Sequence, residues 1–495
     1  MATARRGLSA VKYEAVIGLE VHSQLVTQSK MFCSCSANYA NAEPNTHCCP
    51  VCMGYPGVLP VINKLAIDYI IMTALALNCE IPEFCKFDRK NYGYPDLPKG
   101  YQISQYDMPI SRNGYILLEE KGTSRRIGIT RVHMEEDTGR LLHREGPTSY
   151  TLVDLNRAGV PLMEIVSEPD IRSAEEARLY MEKLHTILLY LGVSSGKMED
   201  GALRCDANVS IREQGQTGFG VKTEIKNMNS FRSVERAISY EINRHIEVVS
   251  SGGTIYQETR GWDEDRGITV SQRRKEYADD YRYFPEPDLP PLVVSPEWVS
   301  RIRAMMPELP DARSQRLVTE YGLTEYDAAQ LTADKSLADY YEQVVAARTP
   351  ADAGLRAKAA ANWILGDLRR LLNAQNLDIS QNPLSPDGLA ELLELIESGK
   401  ISGKQAKEVL EIAFASGDSP ARIVERKGIA QLSDSSELEQ IVAEVIADNP
   451  KAVEDYHAGK AASIQFLVGQ VMRRTNGRAK PDMIRPLLEG KLGEP

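Results

Sequence analysis

The chain has 495 residues, 42% hydrophobic and 26% charged, the proportions of an ordinary globular protein, and its length suits roughly three domains. Its net charge of −11 excludes bulk non-specific nucleic-acid binding, so an RNA partner needs a local basic patch. No apolar run reaches membrane-spanning length, and residues 1–16 carry two arginines without the apolar core of a secretory signal; the expectation is a cytoplasmic protein with no membrane partner.

Residues 13–22 (YEAVIGLEVH) read as a strand. Its alternation puts Glu20 and His22 on one face and Leu19 and Val21 on the other. Two titratable groups opposite an apolar face suit a metal or phosphate edge, and an ordinary wet strand face accounts for them equally well. Five of the eight cysteines then fall between Cys33 and Cys52. The pairs Cys33-x-Cys35 and Cys49-x-x-Cys52 can wrap one tetrahedral Zn²⁺, with Cys48 an alternative to Cys49. Four thiolates leave no open coordination position, so such a site is structural. Clustered thiols in a long acidic chain point to metal before disulfide.

A helix follows Asn63. Residues 86–110 (KFDRKNYGYPDLPKGYQISQYDMPI) suit an irregular loop near a polyanion or a channel mouth. Asn113-Gly114 and Lys121-Gly122 mark chain reversals, which predicts an antiparallel meander rather than a βαβ rhythm. The stretch 127–170 gathers His133, Glu135, Glu136, Asp137, Asp154, Glu164, Glu168 and Asp170 among short β-like runs. Glu164 lies inside Pro-Leu-Met-Glu-Ile-Val, where a carboxylate is costly to desolvate unless a cation meets it. A hard divalent ion such as Mg²⁺, which takes one or two carboxylates plus substrate phosphates, fits that need.

Ser173 and Glu176 form a capping box for a helix that ends at Gly192. A following strand carries Arg204, Asp206 and Asn208 on one face, and Lys222, Glu224 and Lys226 repeat the pattern; such faces could floor a phosphate site or simply be solvated. A proline-rich exit marks a domain boundary near residue 295. Beyond it the sequence is Ala-rich and helical. Within 459–480, Lys460, Arg473, Arg474, Arg478 and Lys480 occur without an acid, which suits an RNA backbone or a solvated helix end. The predicted fold is α+β: an antiparallel-sheet domain over 1–295, an all-α domain over 296–401 and a small helical tail domain over 402–495. There is no Walker-type phosphate loop, no G-x-G-x-x-G opening a helix, and no recognisable Ser or Cys nucleophile motif. An ATP user of this kind would hold phosphates over an open sheet, in the glutamine-synthetase style.

Several motifs carry a family resemblance: VIGLEVH, KMFCSC, CCPVCMGYPGVLPV, KFDRKNYGYPDLPKGYQISQYDMPI, HMEEDTG, DLNRAGVPLMEIVSEPDIRS, GALRCDANVSIR, TEIKNMNSF and DDYRYFPEPDLPPL. In this order they resemble the B subunit of bacterial aspartyl/glutamyl-tRNA amidotransferase (GatB), and the tail GKAASIQFLVGQVMRRTNGRAKP is similar to that family's C-terminal domain. The resemblance implies an ATP-dependent subunit that phosphorylates the side-chain carboxylate of mischarged Glu-tRNA(Gln) or Asp-tRNA(Asn). Ammonia channelled from an amidase A subunit then displaces the phosphate, within a heterotrimer that includes a small C subunit. By resemblance, His22, Glu136 and Glu164 are Mg²⁺ ligands, with Glu20 and Glu135 as neighbours that ligate directly or through water. Alternation sets Glu135, not Glu136, on the face of His133. Arg204, Asp206, Asn208 and Lys226 would line the ATP or acceptor-end side, Lys86 and Lys90 the ammonia route, and the basic tail would meet tRNA. Two departures from the family pattern are Gly93, where an aromatic residue is common, and the fifth thiol, Cys48.

Overall fold

Strand β1 (Tyr13–Gln24) sets the architecture because its two faces differ completely. Ile17, Leu19 and Val21 are at most 1% exposed, while the alternate positions Glu20 and His22 line the other face. The computed structural model describes residues 12–493 apart from 121, 145, 147, 275–280, 348–352, 429–434, 461, 476–478 and 480.

The remaining strands of the first unit are β2 (Phe84–Cys85), β3 (Asp88–Asn91), β4 (Tyr101–Ser104), β5 (Ser111–Glu120), β6 (Thr123–Glu136), β7 (Arg140–Arg144) and β8 (Tyr150–Asp154). They continue with β9 (Pro161–Ser167), β10 (Leu203–Glu213), β11 (Thr223–Lys226), β12 (Glu258–Asp263), β13 (Ile268–Arg274), β14 (Phe284–Pro285) and β15 (Leu292–Val293). Eight of them form one sheet in the order β13-β12-β11-β10-β1-β9-β6-β5. Every neighbouring pair is antiparallel except β11–β12, but the predicted meander is confined to consecutive pairs such as β5–β6, because β1 and β9 enter the centre of the sheet from distant parts of the chain. A second sheet, β14-β3-β4, joins the predicted loop 86–110 to the proline-rich exit; cross-chain pairing, which local pattern does not encode, makes strands of part of that loop.

Helices α1 (Lys64–Ala76), α2 (Ala174–Leu191) and α3 (Phe231–Ser250) pack on the apolar face of the main sheet. Ile67, Ile70, Tyr180, Leu184, Val234 and Ile238 share one core with Ile17, Leu19 and Val21. Each helix starts where a side chain can accept its first free amides: Asn63 for α1, Ser173 for α2 and Ser230 for α3. Glu176 does not close the expected capping box, because its carboxylate accepts from the Arg172 amide at 2.6 Å instead.

The first compact unit runs to Leu309, not to 295. Helix α4 (Pro296–Met305) lies beyond the expected boundary, yet Trp298 and Val299 pack on the sheet-domain core and the Trp298 indole donates to Asp68 at 2.6 Å. The second unit, Pro310–Pro495, is helical throughout its described elements. Its larger core extends from Leu317 to Val424, so the boundary expected between 401 and 402 falls inside packed structure: Ile401, Ala406, Val409 and Leu410 share a core with Leu389 and Leu393. A separate cluster spans Leu438 to Leu492. Among the described residues no helix is long and apolar enough to cross a membrane.

Where α3 meets β11–β13, Glu241 is buried without exposed side-chain surface and serves as an electrostatic hub. It accepts from Arg244 Nε at 2.9 Å and Thr269 Oγ1 at 2.8 Å, and its other neighbour, His245 Nε2, lies at 3.1 Å. Burial works against the charge, but His245, Arg244 and Thr269 outweigh it and hold the carboxyl down from 4.5 to about 2. The charged form therefore contributes stability above the unfolded-state pKa, and that contribution fades as pH falls toward about 2. Glu241→Gln is expected to lower unfolding free energy by about 3 kcal/mol near neutral pH. Urea titrations across pH check this, and the difference between parent and variant should shrink steadily below about pH 4.

Candidate active site

The polar face of the main sheet brings four side chains into one row through antiparallel register. His22 on β1 stands opposite Arg204 on β10 and opposite Glu164 on β9, and Glu164 stands opposite His133 on β6. Residues directly opposite on antiparallel strands share a face, so the row follows from pairing alone. One strand period further along β6, Glu135 reaches the same cluster. The ligand atoms of His22, Glu135 and Glu164 all lie within 4.8 Å of one another.

His22 Nε2 is 3.6 Å from both Glu135 Oε2 and Glu164 Oε2, and His133 Nε2 is 3.2 Å from Glu164 Oε2. Glu135 is 2% exposed and meets several donors: Gln102 Nε2 at 3.1 Å, Ser104 Oγ at 2.9 Å and, 3.7 Å away, the Lys90 ammonium. Lys90 and Gln102 are cross-strand partners on β3 and β4, so the small sheet delivers both to one point. Burial opposes every charge here. Lys90 and the two histidines nevertheless hold the Glu135 carboxyl well below its usual range, and His133 and His22 hold Glu164 at about 2. For His22 and His133 burial is again the largest opposing effect, and Glu164 and Glu135 overcome it, raising both imidazoles. The cluster is thus two carboxylates balanced by two imidazoles and an ammonium.

The expected trio of His22, Glu136 and Glu164 does not assemble. Consecutive strand residues point to opposite faces, and Glu136 turns away from His22. Its carboxylate meets the Lys99 ammonium and accepts from the Ile103 amide at 3.0 Å. Glu135 occupies the position expected of Glu136. The site also includes His133, Gln102 and Ser104, which sequence reasoning did not assign to it. Alternation already set His133 with Glu135; the contribution of β4 had no local signal.

Alongside the row, Asn208 Nδ2 donates to Glu20 Oε1 at 2.9 Å, and Lys226 is ion-paired with Asp206 and lies 3.5 Å from Glu224. Arg204 is engaged by Asp137 at 3.0 Å, which also accepts from Gln24 Nε2 at 2.7 Å. Lys86 pairs with Asp88 and Asp107. In the tail, Lys460 pairs with Asp455 at 2.6 Å and Arg474 with Asp448 at 2.5 Å, so acids outside the basic run neutralise part of it. Arg473 is exposed, while Arg478 and Lys480 lie outside the described residues.

The second constellation is the cysteine loop. The sulfurs of Cys33, Cys35, Cys49 and Cys52 lie within 4.8 Å of one another, a spacing compatible with four thiolates about 2.3 Å from one tetrahedral ion. Cys48 is outside the group, its sulfur 3.9 Å from Asn156 Oδ1. The Cys33 thiol, the Cys49 amide at 3.2 Å and Lys30 favour a thiolate at Cys52, held down at about 4 against the effect of burial.

Comparison with known proteins agrees with this architecture. Residues 15–300 match the GatB/GatE catalytic domain and residues 339–492 the GatB domain. The chain is 57% identical to the B subunit of the aspartyl/glutamyl-tRNA(Asn/Gln) amidotransferase of Carboxydothermus hydrogenoformans, over 98% of this chain and 99% of that protein. It is also 57% identical to the protein of the same description from Moorella thermoacetica, over 97% of this chain and 100% of the relative. For that of Dehalococcoides mccartyi strain CBDB1 the identity is 54%, over 98% and 99%. The chain belongs to the family of aspartyl/glutamyl-tRNA amidotransferase B subunits, components of ligase-type amidotransferases.

Proposed function

We propose that this chain uses ATP to activate the side-chain carboxylate of Glu-tRNA(Gln), Asp-tRNA(Asn) or both, and amidates it with ammonia from a partner amidase subunit in a heterotrimer with a small C subunit. The observation that carries this reading is the cluster of His22, Glu135 and Glu164 on the polar face of the main sheet. Two carboxylates and an imidazole converging within 4.8 Å fit a hard divalent cation with room left for phosphate oxygens. Magnesium held there would screen the phosphate charge while the phosphoryl group passes to the substrate carboxylate.

The residues divide the work by position. His133, 3.2 Å from Glu164, and Lys90, beside Glu135, hold the two carboxylates in place and offset their charge. Asn208 orients Glu20, and Lys226 with Asp206 and Arg204 with Asp137 border the side on which ATP or the acceptor end would lie. A phosphate tail held over an open antiparallel sheet is the glutamine-synthetase manner of binding. A carboxylate is a poor electrophile until phosphorylated, and ammonia attacks only unprotonated. The ion-paired Lys86 and Lys90 border the side from which it would arrive, along a route whose exclusion of water would keep it unprotonated. The four-cysteine loop fits a structural zinc ion. The exposed Arg473, and Arg478 and Lys480 from the same stretch, are the tail positions proposed to meet tRNA.

In the complex reconstituted with its partners, Glu164→Gln and Glu135→Gln are each expected to reduce ATP hydrolysis dependent on mischarged tRNA by about a hundredfold or more. Glu136→Gln should cost markedly less. Hydrolysis retained in the Glu164 and Glu135 variants, with loss confined to Glu136→Gln, would reverse the assignment.

Cys52→Ser is expected to lower zinc content well below one ion per chain and to reduce thermal stability, leaving ATP affinity to follow only after the loop is lost. Metal analysis beside a melting curve reads this directly. Equal zinc in variant and parent would remove the thiolate cage.

A further inference from the structure

We infer that Lys30 is the counter-charge of the four-thiolate zinc site, a buried ammonium that holds the loaded cluster together from outside the metal's own ligands. This rests on the zinc reading above. Lys30 is 1% exposed, among the most buried of the large side chains. An ammonium taken out of water needs a compensating anion or a full set of acceptors. Among the described residues Lys30 forms no ion pair with a carboxylate. Its three donors go instead to His47 O at 2.7 Å, Leu155 O at 3.4 Å and Cys52 Sγ at 3.7 Å. The thiolate is the anion it meets.

Charge makes this contact more than packing. A divalent ion held by four thiolates leaves the cluster with two excess negative charges, in a partly buried setting where such charge is expensive. The emptied cluster keeps the Cys52 thiolate but holds fewer charged sulfurs, so its excess negative charge is smaller. A fixed cation beside Cys52 therefore stabilises the loaded state more than the empty one. Lys30 also sits at the mechanical crossing of the loop. Its backbone amide donates to Cys35 O at 2.9 Å, tying it to the first cysteine pair, while its side chain holds Cys52 and the carbonyl just before the second pair. The bond to Leu155 O anchors both pairs to the segment that leads into β9.

The test is zinc transfer from the full chain, purified with its partners, to a chromogenic chelator such as 4-(2-pyridylazo)resorcinol. Lys30→Gln keeps a donor but removes the charge. It should begin with one zinc per chain and release it about ten to a hundred times faster than the parent. In a Cys52→Ser background, which already lowers zinc content and lacks the facing charge, thermal stability is the readout. There the same change should shift the melting temperature by less than it does in the parent, and an equal shift in both backgrounds overturns the inference. Parent-like release from Lys30→Gln at full zinc content overturns the role of Lys30 while leaving the zinc site standing. A parent chain that holds no zinc overturns both. If Lys30→Gln alone does not fold, the double variant with Cys52→Ser should recover folding, and failure of that recovery also overturns the inference.

Discussion

The structure depends on keeping two buried carboxylates, Glu135 and Glu164, charged and close together. Left alone, two anions in a water-poor pocket would protonate or separate. Here His22, His133 and Lys90 surround them, drawn from β1, β6 and the small sheet. This requirement explains features of the fold that packing does not. β9 must lie between β1 and β6 so that Glu164 faces an imidazole on each side. β3 and β4 must fold over the end of β6 so that Lys90, Gln102 and Ser104 reach Glu135. A one-residue slip of β9 against β1 would turn Glu164 into the core beneath α1 and α2, so electrostatics and core burial select the same register.

Period-two alternation carried the most reliable information in the sequence. It separated Glu20 and His22 from Leu19 and Val21, and it grouped Glu135 with His133. The family resemblance favoured Glu136 as the ligand, whereas the geometry follows the alternation. Spacing was equally informative for the cysteines: two tight pairs were legible, and only the choice between Cys48 and Cys49 needed three dimensions. What stayed hidden was non-local. Gln102 and Ser104 join the site through β3–β4 pairing, which no local pattern of polar residues announces. Trp298 joins the first unit through an aspartate 230 positions earlier in the chain, so a proline-rich run at 285–291 looked like a boundary and is an internal connection. The basic tail looked unopposed because its acids, Asp448 and Asp455, lie outside the window in which the charges were counted.

The cysteine loop and the carboxylate cluster are two ends of one piece of structure. The loop is stapled to residues 153–156 by reciprocal bonds: Asn45 Nδ2 donates to Val153 O at 3.0 Å, and the Leu155 amide donates to Asn45 Oδ1 at 2.8 Å. Asn156, fully buried, accepts from the His47 amide at 2.7 Å and donates to Glu43 O at 2.7 Å. A short turn later the chain enters β9, which carries Glu164. Between staple and strand lies Gly159, at φ 86°, a conformation that favours glycine. Its carbonyl accepts from the Met31 amide at 2.7 Å, and an added Cβ would stand 3.5 Å from both Cys52 and Lys30.

That geometry gives Glu136 a role different from a metal ligand. Its carboxylate closes one wall of a cavity of about 190 Å³, whose other walls include Phe32, Cys52, Tyr101, Lys99 and Gly159. The two neighbouring glutamates thus face two different compartments across a single strand, one lined by imidazoles and the other by the cysteine loop. Each has its own lysine, Lys90 for Glu135 and Lys99 for Glu136. A displacement of the cysteine loop would reach the carboxylate cluster by two routes, through Gly159 into β9 and through the Lys99–Glu136 wall into the end of β6. Strands β9 and β6 are directly paired there, Glu136 opposite Pro161 and Glu135 opposite Leu162, so the two routes converge on adjacent backbone. The loop that carries the four cysteines and the strands that carry Glu135 and Glu164 therefore meet through adjacent, directly paired backbone.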